Sequence, residues 1–395
     1  MISGYVKPGF EAVKTAFEEN FEKRNELGAA CCVYYKGEKV VDLWGGIKNE
    51  ATGEPWEEDT MVIVWSTTKG IAGLTLALAH SRGLFDYDDP ISKYWPEFAQ
   101  QGKEKITIRQ LLAHQAGLYS IEGQNDKSII ADFDKLAEIL ARQKPLWKPG
   151  VYQGYHAITL GYYQSELIRR VDPQKRSLGQ YYQDEIATPL GLDFYIRLPE
   201  EIPNSKLAPL RQAKFGFSAM RTMPISFVLN AMNPFSAFRK SLLGTDISLD
   251  KEQIYARNFE VPSGGGVGTA RALAHAYSVF ATGGKELGLK KETLQLLMAP
   301  PIVPVKGYHD RIMKMDMPFS LGFMKPHPKE PFGSPGSFGM PGTGGSFGYA
   351  DPENKIGFGY VLNGMGMSLP DFRDVALRKA LYDSIGKSDL YKWYK

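Results

Sequence analysis

Ser66 and Lys69 lie three residues apart in the segment Ser-Thr-Thr-Lys. On a helix, side chains at positions i and i+3 are neighbours, with Cβ atoms about 5–6 Å apart. A lysine at this spacing can reach the serine hydroxyl, and removal from water lowers the pKa of its amine so that it can act as a base. A serine at a helix N-terminus also has the positive end of the helix dipole beside a developing oxyanion. The pair therefore predicts a nucleophilic serine with a lysine base.

This spacing is a weak signal by itself, because Ser384 and Lys387 share it. Ser66 follows the apolar run 61–65 and begins an apolar helix predicted over residues 67–82. Ser384 instead ends a predicted helix, beside a glycine and a polar tail. The context favours Ser66 as the nucleophile. The alternative at this point is an N-cap serine whose neighbouring lysine extends to solvent.

Two further motifs follow in order along the chain. Residues 149–171 contain a Pro-Gly turn, then Tyr155-His156-Ala157, then an amphipathic helix, and a glycine-rich stretch follows Met340. Shorter motifs are Leu111–Leu118, Pro189–Leu192 and Asp351–Glu353. From about residue 10 to about residue 380 the chain resembles the serine β-lactamase-like superfamily, in the branch of class C β-lactamases and family VIII carboxylesterases.

The resemblance implies a third catalytic group, Tyr155, which shares a proton network with Ser66 and Lys69. It also implies that the glycine-rich stretch lines the site and supplies an oxyanion-hole amide, because backbone N–H groups can approach a carbonyl closely where side chains are absent. Which amide donates, at 343, 344 or 345, stays open at this point. The residues expected to bind the oxyanion or the substrate are Gly342, Thr343, Gly344, Gly345 and His156.

Two positions depart from the pattern of the family and bear on the substrate. Ala157 replaces the asparagine that, in the lactamases, contacts the lactam side chain and the lysine, and Met340 replaces the basic residue that meets the lactam carboxylate. Both changes argue against efficient β-lactamase or D-Ala-D-Ala peptidase activity. They leave ester chemistry intact, since an esterase needs a nucleophile, a base and an oxyanion hole but no carboxylate anchor.

The predicted function is therefore hydrolysis of a small-molecule carboxylic ester through an acyl-enzyme on Ser66, with no cofactor. Three alternatives stay open: an acyltransferase of the same fold, a weak β-lactamase, and a non-catalytic scaffold or binding protein.

Two serine motifs are interpreted as structural. Ser346 lies in a Gly-x-Ser-x-Gly pattern, the nucleophile elbow of α/β-hydrolases, which joins a strand to a helix. Here the following residues predict a strand and a tight turn, so Ser346 is not expected to react. Ser263-Gly-Gly-Gly lacks the Lys-Ser/Thr of a phosphate loop and is interpreted as the loop before a helix over 269–282. His114 is expected to brace the turn 114–117.

The segment 220–243 is rich in methionine and phenylalanine at irregular spacing. We interpret it as an adaptable, loop-rich lid that shapes an apolar acyl or alcohol pocket, since methionine is flexible. The residues that carry this hypothesis are Met220, Met223, Phe227, Met232, Phe235 and Phe238.

The elements that must position these residues differ between the two ends of the chain and its middle. The termini read as a helix and a hairpin, then late strands and a last helix, over residues 9–25, 29–45, 344–350, 356–363 and 369–384. Between them lie mostly helical pieces, among them 106–113 and 157–171. This order predicts an α/β plus all-α fold: one antiparallel sheet formed from both termini and flanked by helices, with a large inserted helical lobe. We expect a single domain over 1–395, with an α/β lobe from 1–83 and 320–395 and a helical lobe from 84–319.

The composition limits the partners. The 395 residues are 43% apolar and 23% charged, with a net charge of +3 and no basic run beyond Lys-Lys at 290–291, so no nucleic-acid partner is expected. The six histidines form no short-spaced pair, and no metal site is predicted. Neighbouring Cys31 and Cys32, with no signal-peptide pattern and no long apolar run, predict a reduced, cytoplasmic protein without a membrane span. The composition is compatible with a homo-oligomer.

Overall fold

A computed structural model of the chain describes most of the sequence. The described residues are 2–121, 127–212, 229–230, 232–233, 235–243, 254–327, 331–368 and 370–391.

The largest element is an antiparallel sheet built from both ends of the chain, as the sequence predicts. Its strands are Ile2–Val6 (β1), Gly28–Tyr35 (β2), Glu38–Asn49 (β3), Glu54–Pro55 (β4), Phe319–Ser320 (β8), Phe323–Met324 (β9), Phe338–Pro341 (β10), Phe347–Asp351 (β11) and Ile356–Leu362 (β12). Within the described residues these nine strands lie in the order β1-β3-β2-β12-β11-β10-β9-β8, with β4 paired to β3. The two ends of the chain meet where β2 pairs with β12, and Cys32 lies opposite Gly359 in that pairing.

Helices cover both faces of this sheet. The N-terminal helix Glu11–Lys23 and the C-terminal helix Phe372–Ser384 bury Phe17 and Leu381 against one face. The helix Ala270–Ala281 packs on the other face, where a Cβ at Gly357 or Gly359 would lie 2.3 Å from a carbonyl of that helix. These glycines therefore permit close contact between the helix and the middle of the sheet.

Three short strands form a second sheet next to Ser66. They are Val62–Ile63 (β5), Phe194–Tyr195 (β6) and Val267–Gly268 (β7), in the order β5-β7-β6. The predicted apolar approach to Ser66 is therefore a strand, and the glycine loop after Ser263 leads into its partner. This pairing fixes both segments beside the start of the helix Thr67–Ser81.

The helix Thr67–Ser81, here called the Ser66 helix, is buried on all sides except at His80. A helix that is apolar all round belongs in the core, and this one lies between β10 and the helical part of the chain. The other described α-helices are Ile108–Leu112, Lys127–Ala131, Phe133–Arg142, Thr159–Val171, Leu178–Tyr182, Thr188–Leu190, Ala237–Leu243 and Lys291–Met298.

The bounds of several elements differ from those predicted from the sequence, mainly where a capping side chain or a turn sets the end of the element. The strand predicted from Gly344 begins at Phe347, because Gly342–Ser346 form a turn. The last helix begins at Phe372, where the side chain of Asp371 caps it by accepting from the Arg373 amide. The helix after the glycine loop is capped by Thr269 rather than by Ser263.

Cys31 and Cys32 are both buried free thiols in β2. Across the described parts of the chain, no helix is long and apolar enough to cross a membrane. The same residues contain no group of three His, Cys, Asp or Glu side chains suited to a metal ion.

Candidate active site

Ser66 lies at a sharp turn between β5 and the Ser66 helix. Its neighbour Trp65 has a left-handed backbone with φ of 47°, which is unusual for a bulky residue and is a form of strain common at functional sites. The Val64 amide donates to the Gly266 carbonyl at 2.9 Å, so the second sheet holds the turn from below. The turn places the half-buried Ser66 at a cavity wall.

Lys69 is fully buried and its amine contacts three oxygens. Nζ lies 3.2 Å from Ser66 Oγ, 2.6 Å from the Ala157 carbonyl and 2.7 Å from the Ser263 carbonyl. Among the described residues no carboxylate pairs with it. Burial without a counter-ion holds the pKa of Lys69 well below its usual value. A neutral amine has two protons for the two carbonyls, which leaves its lone pair for the Ser66 hydroxyl.

Tyr155 approaches Ser66 from the other side of the cleft. Its hydroxyl lies 2.8 Å from Ser66 Oγ, and the Lys69 amine lies 4.9 Å from its ring centroid. Burial raises the pKa of the Tyr155 phenol, so it stays protonated and donates to Ser66. The structure thus brings the three predicted catalytic side chains together.

His114 holds the loop of Tyr155 on both sides. Its contacts therefore extend beyond the turn 114–117 that it was expected to brace. The Gly154 amide donates to the His114 carbonyl and the His156 amide to His114 Nδ1, each at 3.0 Å. Ser241 adds a second clamp, since its hydroxyl donates to the Tyr155 carbonyl at 3.1 Å and accepts from the Ala157 amide at 3.2 Å. These hydrogen bonds to the backbone of residues 154–157, on either side of Tyr155, position its phenol.

His156 does not occupy its predicted substrate-binding place. It is fully buried behind Tyr155, is absent from the cavity wall, and accepts from the Leu118 amide through Nε2 at 2.8 Å. Burial lowers its pKa to about 3, so the ring is neutral. Its sequence position next to Tyr155 misled the prediction, because consecutive residues in an extended loop point in opposite directions.

The glycine-rich stretch forms a tight turn against Ser66, with two of its amides occupied. The Gly342 amide donates to the Ser346 carbonyl at 2.7 Å and the Gly345 amide to the Gly342 carbonyl at 3.1 Å. The amides of Thr343 and Gly344, and that of Ser66, meet no acceptor among the described residues. The candidate donors of the oxyanion hole are therefore the Ser66 amide together with the amide of either Thr343 or Gly344.

The two competing serines are structural. Ser346 Oγ donates to the Val64 carbonyl at 2.8 Å and lies 3.0 Å from Thr67 Oγ1, which connects the glycine turn to the start of the Ser66 helix. Ser384 Oγ donates to the Ala380 carbonyl at 2.8 Å, one helical turn back. In the part of the chain that the structure describes, neither contacts a basic side chain that would activate it.

A cavity of about 800 Å³ opens beside Ser66 and Tyr155. Its wall is mostly apolar and rich in methionine: Met313, Met315, Met317, Met324, Met340 and Met367. Two cationic wall residues are engaged elsewhere: Lys325 Nζ donates to the Leu297 carbonyl at 2.7 Å, and Arg378 pairs with Asp374 at 2.7 Å. The wall suits an apolar group attached to the reacting carbonyl.

The predicted lid contributes to this wall only in part. Met232, Phe238 and Leu242 line the cavity, whereas Phe235 is 83% exposed and lies outside it. Met220, Met223 and Phe227 lie outside the described residues.

Sequence reasoning missed the groups that hold Lys69. Both are backbone carbonyls, at Ala157 and Ser263, and a carbonyl carries no residue-type signal. The run of glycines after Ser263 was the available hint, because it marks a backbone that comes close to something.

Comparisons with known proteins identify the family and the fold of the chain. The Beta-lactamase family matches residues 13–382. The chain is 31% identical over 366 residues to the Esterase/beta-lactamase LipL of Mycobacterium tuberculosis, covering 92% of this chain and 83% of that one. A penicillin-binding protein homologue from Caulobacter crescentus superposes with a TM-score of 0.83 at 33% identity, covering 97% of this chain and all of the other (100%). A family VIII carboxylesterase superposes with a TM-score of 0.81 at 32% identity, with coverage of 97% and 100%.

Proposed function

This chain belongs to the Beta-lactamase family, and from that premise we propose that it hydrolyses carboxylic esters through an acyl-enzyme on Ser66. Its relatives place it among the hydrolases and esterases with the β-lactamase fold. The observation that carries the finer proposal is the environment of Ser66 Oγ, which lies 3.2 Å from a buried, uncompensated amine and 2.8 Å from a phenol.

The proposed acylation transfers the Ser66 proton to Lys69 as Oγ bonds to the ester carbonyl carbon. The two backbone carbonyls hold the amine with its lone pair toward Oγ, so no reorientation is needed. The oxyanion accepts hydrogen bonds from the Ser66 amide and from one free amide of the glycine turn. We assign that amide to Thr343, because its peptide is held by the hydrogen bond from the Gly345 amide to the Gly342 carbonyl at 3.1 Å. When the carbon–oxygen bond to the leaving group breaks, Tyr155 protonates the departing alkoxide and regains a proton from Lys69.

Deacylation uses the same groups in reverse. A water molecule gives its proton to the Tyr155–Lys69 pair and attacks the acyl carbonyl, and the collapse returns the proton to Ser66 Oγ and releases the acid. Every proton removed in one step is thus restored in the other.

The cavity wall favours esters over β-lactams as substrates. Met340, 2% exposed, occupies the place of a basic carboxylate anchor, and the methionine-rich wall offers dispersion contacts to an alkyl or aryl group. The name of the Mycobacterium tuberculosis relative includes both activities. The rate of lactam turnover should therefore be compared with the rate of ester turnover.

Acyl transfer to an alcohol is a second candidate. The apolar wall beside Ser66 favours an alcohol over water near the acyl-enzyme. Adding butanol during turnover of a p-nitrophenyl ester separates the two: transfer yields a butyl ester and faster p-nitrophenol release where deacylation limits the rate, whereas hydrolysis yields acid alone.

The decisive test of the proposal is labelling with a fluorophosphonate, followed by intact-mass and peptide analysis. We expect one adduct, on Ser66, together with turnover of p-nitrophenyl butyrate and much slower turnover of nitrocefin. Absence of an adduct and of ester turnover in the folded protein would favour the non-catalytic scaffold, and faster nitrocefin turnover would favour the lactamase.

Replacing Tyr155 by phenylalanine should lower kcat for p-nitrophenyl butyrate by about 10²–10³-fold, because the variant lacks the proton donor for the leaving group. The ring packing against Phe319, at 5.6 Å between centroids, is retained. Tyr162→Phe is the matched control, since that hydroxyl is buried and has no partner among the described residues. An unchanged kcat in Tyr155→Phe would remove the phenol from the mechanism.

A further inference from the structure

Arg373 lies outside the predicted catalytic set, yet it contacts the glycine turn that carries the oxyanion-hole amide. Its Nη2 donates to the Gly344 carbonyl at 2.8 Å, and its Nη1 to the Gly364 carbonyl at 2.7 Å. The residue is 5% exposed and lies on the first turn of the helix Phe372–Ser384.

Two carboxylates hold the guanidinium in this position. Asp371 accepts from Nε at 2.9 Å and from Nη2 at 2.7 Å, and Glu26 accepts from Nη1 at 3.1 Å. Such a two-pronged pair fixes the plane of a guanidinium as well as its place. Glu26 also accepts a short hydrogen bond from Tyr360, so the anchor reaches into β12.

The Asp371–Arg373 pair packs directly against the glycine turn. A Cβ at Gly345 would lie 2.5 Å from Asp371 Oδ2 and 3.0 Å from Arg373 Nη2. Gly344 and Gly345 have φ of 95° and 120°, values that other residues rarely adopt. The close contact with the Asp371–Arg373 pair leaves no room for a side chain at Gly345.

The hydrogen bonds run in sequence from Arg373 to the Thr343 amide. Arg373 and the Gly366 amide, at 2.8 Å, both donate to the Gly344 carbonyl, which fixes the peptide plane between 344 and 345. The amide of that peptide donates to the Gly342 carbonyl at 3.1 Å. Because the C=O and N–H of a trans peptide point in opposite directions, holding the Gly342 carbonyl aims the Thr343 N–H the other way.

We propose that Arg373 is a positioning residue that orients and polarises the oxyanion-hole amide of Thr343 through the Gly344 carbonyl. The inference rests on the proposed acyl-enzyme chemistry at Ser66. A cation at one end of a chain of hydrogen bonds strengthens each following donor, so Arg373 contributes both geometry and polarisation. The effect is on the transition state, because the amide meets a full negative charge only there.

The test is Arg373→Lys, which keeps the charge but cannot contact both carboxylates and both carbonyls at once. We expect kcat for p-nitrophenyl butyrate to fall about 10–100-fold, less than the loss of a whole oxyanion donor, with KM within about threefold. The rate of inactivation by a fluorophosphonate should fall by a similar factor. The acyl-enzyme carbonyl stretch, measured by infrared difference spectroscopy, should move to higher wavenumber because its hydrogen bonds weaken.

Arg176→Lys is the matched control. Arg176 forms the same two-pronged pair with Asp172, at 2.9 and 3.0 Å, in the helical part of the chain and away from the turn. We expect a similar loss of thermal stability in both variants and a change of kcat and carbonyl frequency in Arg373→Lys alone.

Two outcomes would overturn the proposal: a folded Arg373→Lys with wild-type kcat, or a loss of kcat with an unmoved carbonyl stretch. If Arg373→Lys does not fold, Asp371→Asn carries the test with the same criteria. Asparagine keeps the Oδ1 that caps the helix, but it has an amide donor in place of the Oδ2 that accepts from Arg373 Nη2. Failure of the proposed function is distinguishable, because the wild-type protein would then take no fluorophosphonate on Ser66.

Discussion

Replacing Ser66 by alanine should abolish labelling by a fluorophosphonate and lower kcat/KM for p-nitrophenyl butyrate by at least about 10⁴-fold. The variant lacks the atom that forms the acyl-enzyme, and neither Lys69 nor Tyr155 has another nucleophile to activate among their contacts. Because Ser66 is a half-buried residue whose side chain makes no capping hydrogen bond, the fold should be retained. Steady-state kinetics and intact-mass spectrometry measure the two effects.

The chain supplies its own control for this experiment. Ser384→Ala changes the other Ser-x-x-Lys motif, whose hydroxyl donates to the Ala380 carbonyl. We expect wild-type kinetics and labelling from it. Retained labelling in Ser66→Ala, with a mapped adduct elsewhere, would assign the nucleophile to another residue.

Replacing Lys69 by methionine should lower kcat by about 10³–10⁴-fold, since the general base is lost while the length of the side chain is preserved. The variant also leaves the Ala157 and Ser263 carbonyls without their donor, so part of the effect is structural. Circular dichroism and thermal unfolding separate this part from the loss of catalysis.

Lys103→Met is the matched control for that structural part. Lys103 is equally buried and donates to three carbonyls, those of Gln100, Ala141 and Gln143, at 3.0, 2.8 and 2.7 Å, but contacts no serine. Both variants should lose stability, and only Lys69→Met should lose activity. Equal kinetics in the two variants would contradict the role of Lys69 as a base.

The pH dependence of acylation follows from the same amine. Burial lowers the pKa of Lys69, and the neutral form is the active one, so the rate should rise with pH and reach a plateau well below the ordinary lysine range. The raised pKa of Tyr155 keeps the phenol protonated across that plateau. Single-turnover rates between about pH 5 and about pH 9 give the profile, and a rate that falls as pH rises would mean that a protonated Lys69 is required.

The fold was largely readable from the sequence because its elements carry strong local patterns. The helical periodicity over residues 9–25 and 67–82 and the hairpin over 29–45 match the helices and strands that form. The prediction of one antiparallel sheet from both termini is confirmed by the pairing of β2 with β12. The register of that pairing was not readable, since it depends on contacts between segments that are over 300 residues apart.

The sequence alone also determined which side chains are candidates for the chemistry: Ser66, Lys69 and Tyr155 are distinguished by residue type, spacing and order. Tertiary structure decided what surrounds them. The carbonyls of Ala157 and Ser263 aim the Lys69 amine, the carbonyl and ring of His114 hold the Tyr155 loop, and Arg373 holds the glycine turn. Sequence could not show these groups, because a backbone carbonyl is the same at every residue and an arginine acquires its role only from the groups that the fold places around it.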